Sequence, residues 1–145
     1  MILRGYSYSN SKPVEVGIEG EKILDINPCK DQSENEFFIG PGFVDLQVNG
    51  YGGVDYNELY DDPLRLSLIA PLLYKEGVTS HLPTIITNDT ERIALLIRQV
   101  GALREKDELS RLSIAGLHIE GPFIWSQHGD VGIGCCLQNG KASSK

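Results

Sequence analysis

The 145-residue sequence contains no run of 18 apolar residues and no basic leader followed by an apolar core. Neither a membrane span nor a secretion signal is therefore expected, and the cytosol is the default compartment. Basic clusters are also missing. A net charge of -7 without any basic run argues against nucleic acid or an anionic membrane as the main partner, although a small pocket for one phosphate is compatible with such a sum. Cysteine is scarce and odd in number: Cys29, Cys135 and Cys136. Two of the three are adjacent, which does not fit a disulfide framework. No His or further Cys stands at ligand spacing around Cys135 and Cys136, so a thiolate metal site is not expected there. The chain has no internal repeat and no low-complexity tract ahead of its tail.

What the chain does have is apolar patterning. At 41% hydrophobic it can bury a sizeable core, and its length is that of one domain. From Ile2 to Ile26 the pattern is short and alternating, with Val14, Val16 and Ile18 on one side and a turn at Gly20, which predicts β-hairpins. Such a piece is marginal alone and must pack on something else. Residues 27–35 have loop composition, placing a boundary near Gly40. In the stretch Gly40 to Gly50, Val44, Leu46 and Val48 alternate with Asp45, Gln47 and Asn49, a strand with one polar face. It reads either as a half-exposed edge strand or as one wall of a site. Gly50-Tyr51-Gly52-Gly53 behind it serves either a close backbone approach to a ligand or a tight turn.

Asp61-Asp62-Pro63 predicts the start of a helix that carries Leu64, Leu68, Leu72 and Leu73, is kinked at Pro71 and closes at Gly77. Val78 to Thr87 is apolar on both faces, as in a buried parallel strand. Asn88 and Glu91 have capping-box spacing before a second helix with Ile93, Leu96, Ile97 and Val100 as its stripe. Leu112 to Ile119 is expected to be the third buried strand. Strand, helix, strand, helix, strand at roughly 35-residue spacing is the order of βα units with a parallel sheet.

That third strand runs into Gly116-Leu-His-Ile-Glu-Gly-Pro-Phe123. Alternation places Gly116, His118 and Glu120 on one face and Ala115, Leu117 and Ile119 on the other. Gly121-Pro122 ends the strand and leaves Glu120 at its carboxyl end. A carboxylate there suits a metal ion, because an unpaired buried charge costs several kcal/mol or more. Taken alone, a His-x-Glu on a strand is more often a hydrogen-bonded pair than a metal site.

Three stretches together resemble the N-acetylglucosamine-6-phosphate deacetylase family of the amidohydrolase superfamily: residues 41–50, residues 77–87 (Gly-Val-Thr-Ser-His-Leu-Pro-Thr-Ile-Ile-Thr) and residues 116–123. The resemblance covers residues 1 to about 124. It implies an α/β fold, the first three strands of a (β/α)8 (TIM-type) barrel over 41–124, preceded by part of a small β-sandwich domain over 1–40. The implied activity is metal-dependent deacetylation of N-acetylglucosamine 6-phosphate to glucosamine 6-phosphate and acetate. In the family the glutamate matching Glu120 is a metal ligand. Many amidohydrolases carry His-x-His where this chain has Gln47 and Asn49, so the resemblance is to single-metal members. One divalent ion is implied, zinc foremost, with iron, manganese and cobalt as alternatives; an amide is a poor zinc ligand beside imidazole. Gln47, Asn49 and His118 are candidates for the lumen near the site, with no metal role assigned to His118. For full-length relatives the resemblance implies a homo-oligomer, dimer or tetramer.

The family's acid/base aspartate and its two metal-binding histidines come from later strands, and none of the three is found in this chain. No catalytic residue is therefore expected here. A complete barrel needs about 250 residues. Residues 125–145 have no counterpart in the family pattern and are expected to be a poorly ordered tail, with His128 a solvated surface residue. A truncated or out-of-frame product, or an incomplete gene model, accounts for the loss of pattern after Ile124. Two other readings remain: a different amidohydrolase, dihydroorotase- or deaminase-like, against which the missing His-x-His counts, and a non-catalytic barrel fragment acting through its open sheet edges.

Overall fold

The protein was analysed as a computed structural model that describes residues 1–30 and 37–121. Expectations for 125–145, including His128, Cys135 and Cys136, lie outside the described residues. The chain divides into two compact units, Met1–Pro41 and Gly42–Lys145.

The first unit is a sheet of β1 (Ile2–Ser7), β2 (Pro13–Glu19), β3 (Lys22–Pro28) and β4 (Phe38–Ile39) in the order β3-β2-β1-β4. The three long strands are antiparallel, joined by short turns, and β4 runs parallel to β1. Alternation formed the hairpins, but one sheet has little to pack against. Val16 is this unit's buried apolar side chain among the described residues, and β3 is exposed throughout.

The second unit is α/β. Its parallel sheet has the order β5-β8-β9, with β5 (Phe43–Val48), β8 (Val78–Ile85) and β9 (His118–Ile119). Between β5 and β8 lie the hairpin β6 (Gly50–Tyr51) and β7 (Val54–Asp55), a 3₁₀ turn over Pro63–Leu68, and α1 (Ile69–Lys75). Gly52 and Gly53 both have positive φ, 62° and 80°, so the glycine run serves a two-residue hairpin turn. Asp62 accepts from the Leu64 amide at the start of the 3₁₀ turn. Pro71 does not kink one long helix as expected. The segment changes from 3₁₀ to α at Ile69, which puts Pro71 in the first turn of α1, where no N–H is needed.

α2 (Thr90–Lys106) buries Ile93, Leu96, Val100 and Leu103. Burying each such side chain contributes about 1.5–3 kcal/mol. Its cap lies one residue later than the capping-box reading: Asp89, not Asn88, accepts from the Arg92 amide at 2.8 Å, and Asn88 Oδ1 receives the Asp89 N–H. The third strand is also shorter than predicted. Asp107 caps α3 (Glu108–Ser113) by accepting from the Ser110 amide, and Arg111 pairs with Glu108 one turn back, so Leu112 and Ser113 are helical. Ile114 then makes a single bridge to His81, and pairing resumes only at His118. The core under the sheet gathers Val48, Tyr56, Leu66, Ile69, Leu73, Val100, Leu103 and Ile114. Among the described residues no helix is long and apolar enough to cross a membrane.

Candidate metal-binding end of the parallel sheet

The strand ends are held by loop side chains. Asn57 Nδ2 donates to the Thr84 carbonyl and Asn57 Oδ1 accepts from the Ile86 amide, tying the loop after β7 to the end of β8. Buried Gln99 of α2 accepts from the Tyr60 amide and donates to the Glu58 carbonyl, holding the same loop from the helix side. Glu120 follows β9 and is fixed by its backbone: its N–H donates to the Ile85 carbonyl, and its own carbonyl accepts from Thr87 Oγ1 at 2.6 Å. The close approach explains Gly121. Its φ is 106°, and a Cβ there would lie 2.7 Å from Thr87 Oγ1.

With the backbone pinned, the Glu120 side chain meets β5. Gln47 Nε2 donates to Glu120 Oε1 at 2.5 Å. Oε2 has no hydrogen-bond partner among the described residues. His118 Nδ1 lies 2.9 Å from the Leu46 carbonyl. A carbonyl only accepts, so Nδ1 is the donor. Both bonds cross over β8, joining strands that are not ladder neighbours. Gln47, His118 and Glu120 are thus brought together. Asn49 lines a recess of about 340 Å³ with Asp45, Gln47, Tyr51 and Glu76, and among the described residues no hydrogen bond joins it to Glu120. The nearby Glu76 charge, with burial and a hydrogen bond to Glu76 adding to it, raises the Tyr51 hydroxyl pKa.

The even alternation expected for residues 44–49 is broken. Asp45 pairs with His81 and Val48 with Pro83, so three steps on β5 match two on β8. Val48 is 5% exposed in the core, whereas Val44 and Leu46 are 60% and 63% exposed instead of sharing its buried face. Parallel partners point to one face, which sets Asp45 on the His81 face, while its Oδ1 still accepts from the Gln47 amide at 3.0 Å. The slip falls opposite Pro83, whose nitrogen lies on the β9 side of the strand, as do the His81 and Ile85 carbonyls that accept from Ala115 and Glu120. The alternation of β5 alone carried no signal of the slip.

Sequence reasoning also passed over His81. It is 1% exposed, with Nε2 2.9 Å from the Tyr56 hydroxyl, while Nδ1 has no partner among the described residues. Burial lowers its pKa from 6.5 to about 4, against the opposing pull of Asp45. Burial likewise raises the pKa of Tyr56. The neighbouring Thr and Pro of an apolar run gave no reason to single this histidine out.

Among the described residues no three His, Cys, Asp or Glu side chains converge as a metal cage. Glu120 fits one corner of a divalent site: one hard oxygen is oriented by an amide and the other is left for a ligand. Gln47 in place of an imidazole leaves no second strong ligand beside it.

No family model matches the sequence. The chain is 34% identical over 87 residues to the human N-acetylglucosamine-6-phosphate deacetylase, covering 59% of this chain and 21% of that protein. To the enzyme of that name from Haemophilus influenzae it is 39% identical over 83 residues, 57% of this chain and 21% of the relative. Among solved structures, the N-acetylglucosamine-6-phosphate deacetylase of Thermotoga maritima superposes with a TM-score of 0.72 at 25% identity, over 87% of this chain and 33% of that one. The chain spans about a fifth of the length of the curated relatives it matches. It is similar, over that span, to N-acetylglucosamine-6-phosphate deacetylases.

Proposed function

We propose that this chain carries the first βα units of a (β/α)8 amide hydrolase that deacetylates N-acetylglucosamine 6-phosphate, with Glu120 as its contribution to a single-metal site. The observation that supports this most is the Gln47–Glu120 hydrogen bond, which sets the two stretches of residues 41–50 and 116–123 against each other at one end of the parallel sheet. In barrels of this kind chemistry occupies the carboxyl ends of the strands, and Glu120 stands just beyond β9. A divalent ion, zinc foremost, would supply when bound an activated water and polarisation of an acetyl carbonyl. Glu120 would hold one position of that ion; Gln47 orients its carboxylate, and the backbone bonds to Ile85 and Thr87 keep Glu120 from swinging away. The substrate class is a small phosphorylated amino sugar, and the oligomeric state of the whole enzyme is dimer or tetramer.

One carboxylate does not fill a tetrahedral site that needs about three protein ligands. Calorimetric titration of the 145-residue chain with Zn²⁺ is therefore expected to give only weak binding, lost in Glu120→Gln. Sub-micromolar binding that survives Glu120→Gln would overturn the assignment of the ligand.

A further inference from the structure

Leu46 and Gln47 have no partner residue in β8, so the peptide group between them lies in the bulge of β5, outside the paired positions. A peptide group out of the ladder needs other partners. Here both come from side chains: the Leu46 carbonyl accepts from His118 Nδ1 at 2.9 Å, and the Gln47 N–H donates to Asp45 Oδ1 at 3.0 Å. The plane of this peptide sets where the Gln47 side chain departs from the strand. Its amide in turn donates to Glu120 Oε1.

We propose that His118 is a positioning residue: through its Nδ1–H bond to the Leu46 carbonyl it fixes the β5 bulge, aims Gln47 at Glu120 and so selects Oε2 as the carboxylate oxygen left for a ligand. The last step rests on the metal role of Glu120 proposed above; the hold on Gln47 does not. The bond joins atoms of β9 and β5 across β8, so its loss is local to the bulge and leaves the β8 ladder intact. The chemistry also specifies which replacement works. Asn places an N–H donor on Cγ, where His118 has Nδ1, whereas Gln places its donor one bond further out, in the position of Nε2.

The test uses the full 145-residue chain and nuclear magnetic resonance. The Gln47 side-chain amide is assigned by its disappearance in Gln47→Leu. In His118→Ala and His118→Gln it is expected to move to the position of solvent-exposed glutamine amides, while His118→Asn leaves it near its wild-type place. Titration with Mn²⁺, followed by broadening of the Glu120 amide, is expected to need roughly tenfold more metal in the Ala and Gln variants and not in Asn, in line with outer-shell partners of metal ligands. A Gln47 resonance that stays put in His118→Ala and His118→Gln, or shifts equally in His118→Asn, overturns the proposal. Should the variants fail to fold, the wild-type tautomer decides: a long-range ¹⁵N spectrum must place the proton of neutral His118 on Nδ1, and a proton on Nε2 overturns it. If Mn²⁺ broadens nothing near Glu120 even in the wild type, the metal reading fails, and the Gln47 resonance still rules on His118.

Discussion

His81 and Tyr56 form a pair whose consequence can be read at the level of single atoms. Protonating His81 would place a cation in a buried site with one ring N–H lacking a partner, which is why its pKa falls to about 4 from 6.5. Between those two values the unfolded chain binds more protons at this site than the folded one. The contribution is therefore complete above about pH 6.5 and is lost as pH falls through the window toward 4, with a slope of up to about 1.4 kcal/mol per pH unit. Urea titrations of the chain followed by circular dichroism should show this loss on going from pH 7 to pH 4.5. In the double variant Tyr56→Phe with His81→Phe the extra loss disappears, and stability at pH 7 changes little, since both hydrogen-bonding partners are removed together. A wild type and double variant that lose stability in parallel would show that His81 does not titrate as argued. Little of this was legible in the sequence, because burial, rather than residue type, decides how a histidine behaves. The place of Glu120 just beyond β9 was legible, because a carboxylate before Gly-Pro advertises a strand end.

Among the elements, local chemistry marked starts better than ends. The start of the first helical segment was visible in Asp62-Pro63, since an acidic cap followed by proline has few other uses. The same reasoning put the α2 cap at Asn88, but Asp89 is as good a capping residue and stands one step closer to the Arg92 amide it satisfies. Asp89→Ala should accordingly destabilise the chain by about 1 kcal/mol in urea titration, and Asn88→Ala by about half of that or less. Equal costs, or a larger one at Asn88, would return the cap to the earlier residue. The third strand was over-extended because apolar content alone does not separate a short helix from the strand it precedes; Asp107, three residues ahead of Ser110, was the mark of the intervening helix. The β5 slip was hidden for a different reason. Alternation is a property of one strand, whereas register belongs to a pair, and the slip lies between Asp45 and Val48 of β5 opposite His81 and Pro83 of β8.

At the scale of the molecule, the α/β layout of the second unit followed from the spacing of its apolar runs, and the hairpins of the first from alternation. What the chain leaves exposed is as informative as what it buries. Val44 and Leu46, with Phe43 beside them, lie open on β5, and Ile23, Leu24 and Ile26 lie open on β3. Exposed apolar strand faces of this kind mark surfaces that call for cover. Under the proposed function, further barrel strands would complete the second unit and bring the ligands and acid/base that Glu120 lacks. The most direct test of that function is acetate release from N-acetylglucosamine 6-phosphate by a chimaera in which residues 42–121 replace the matching segment of the Haemophilus influenzae relative. Zinc-dependent turnover is expected in the chimaera, dropping to the metal-only background in Glu120→Gln. A folded chimaera whose turnover is unaffected by Glu120→Gln would contradict it.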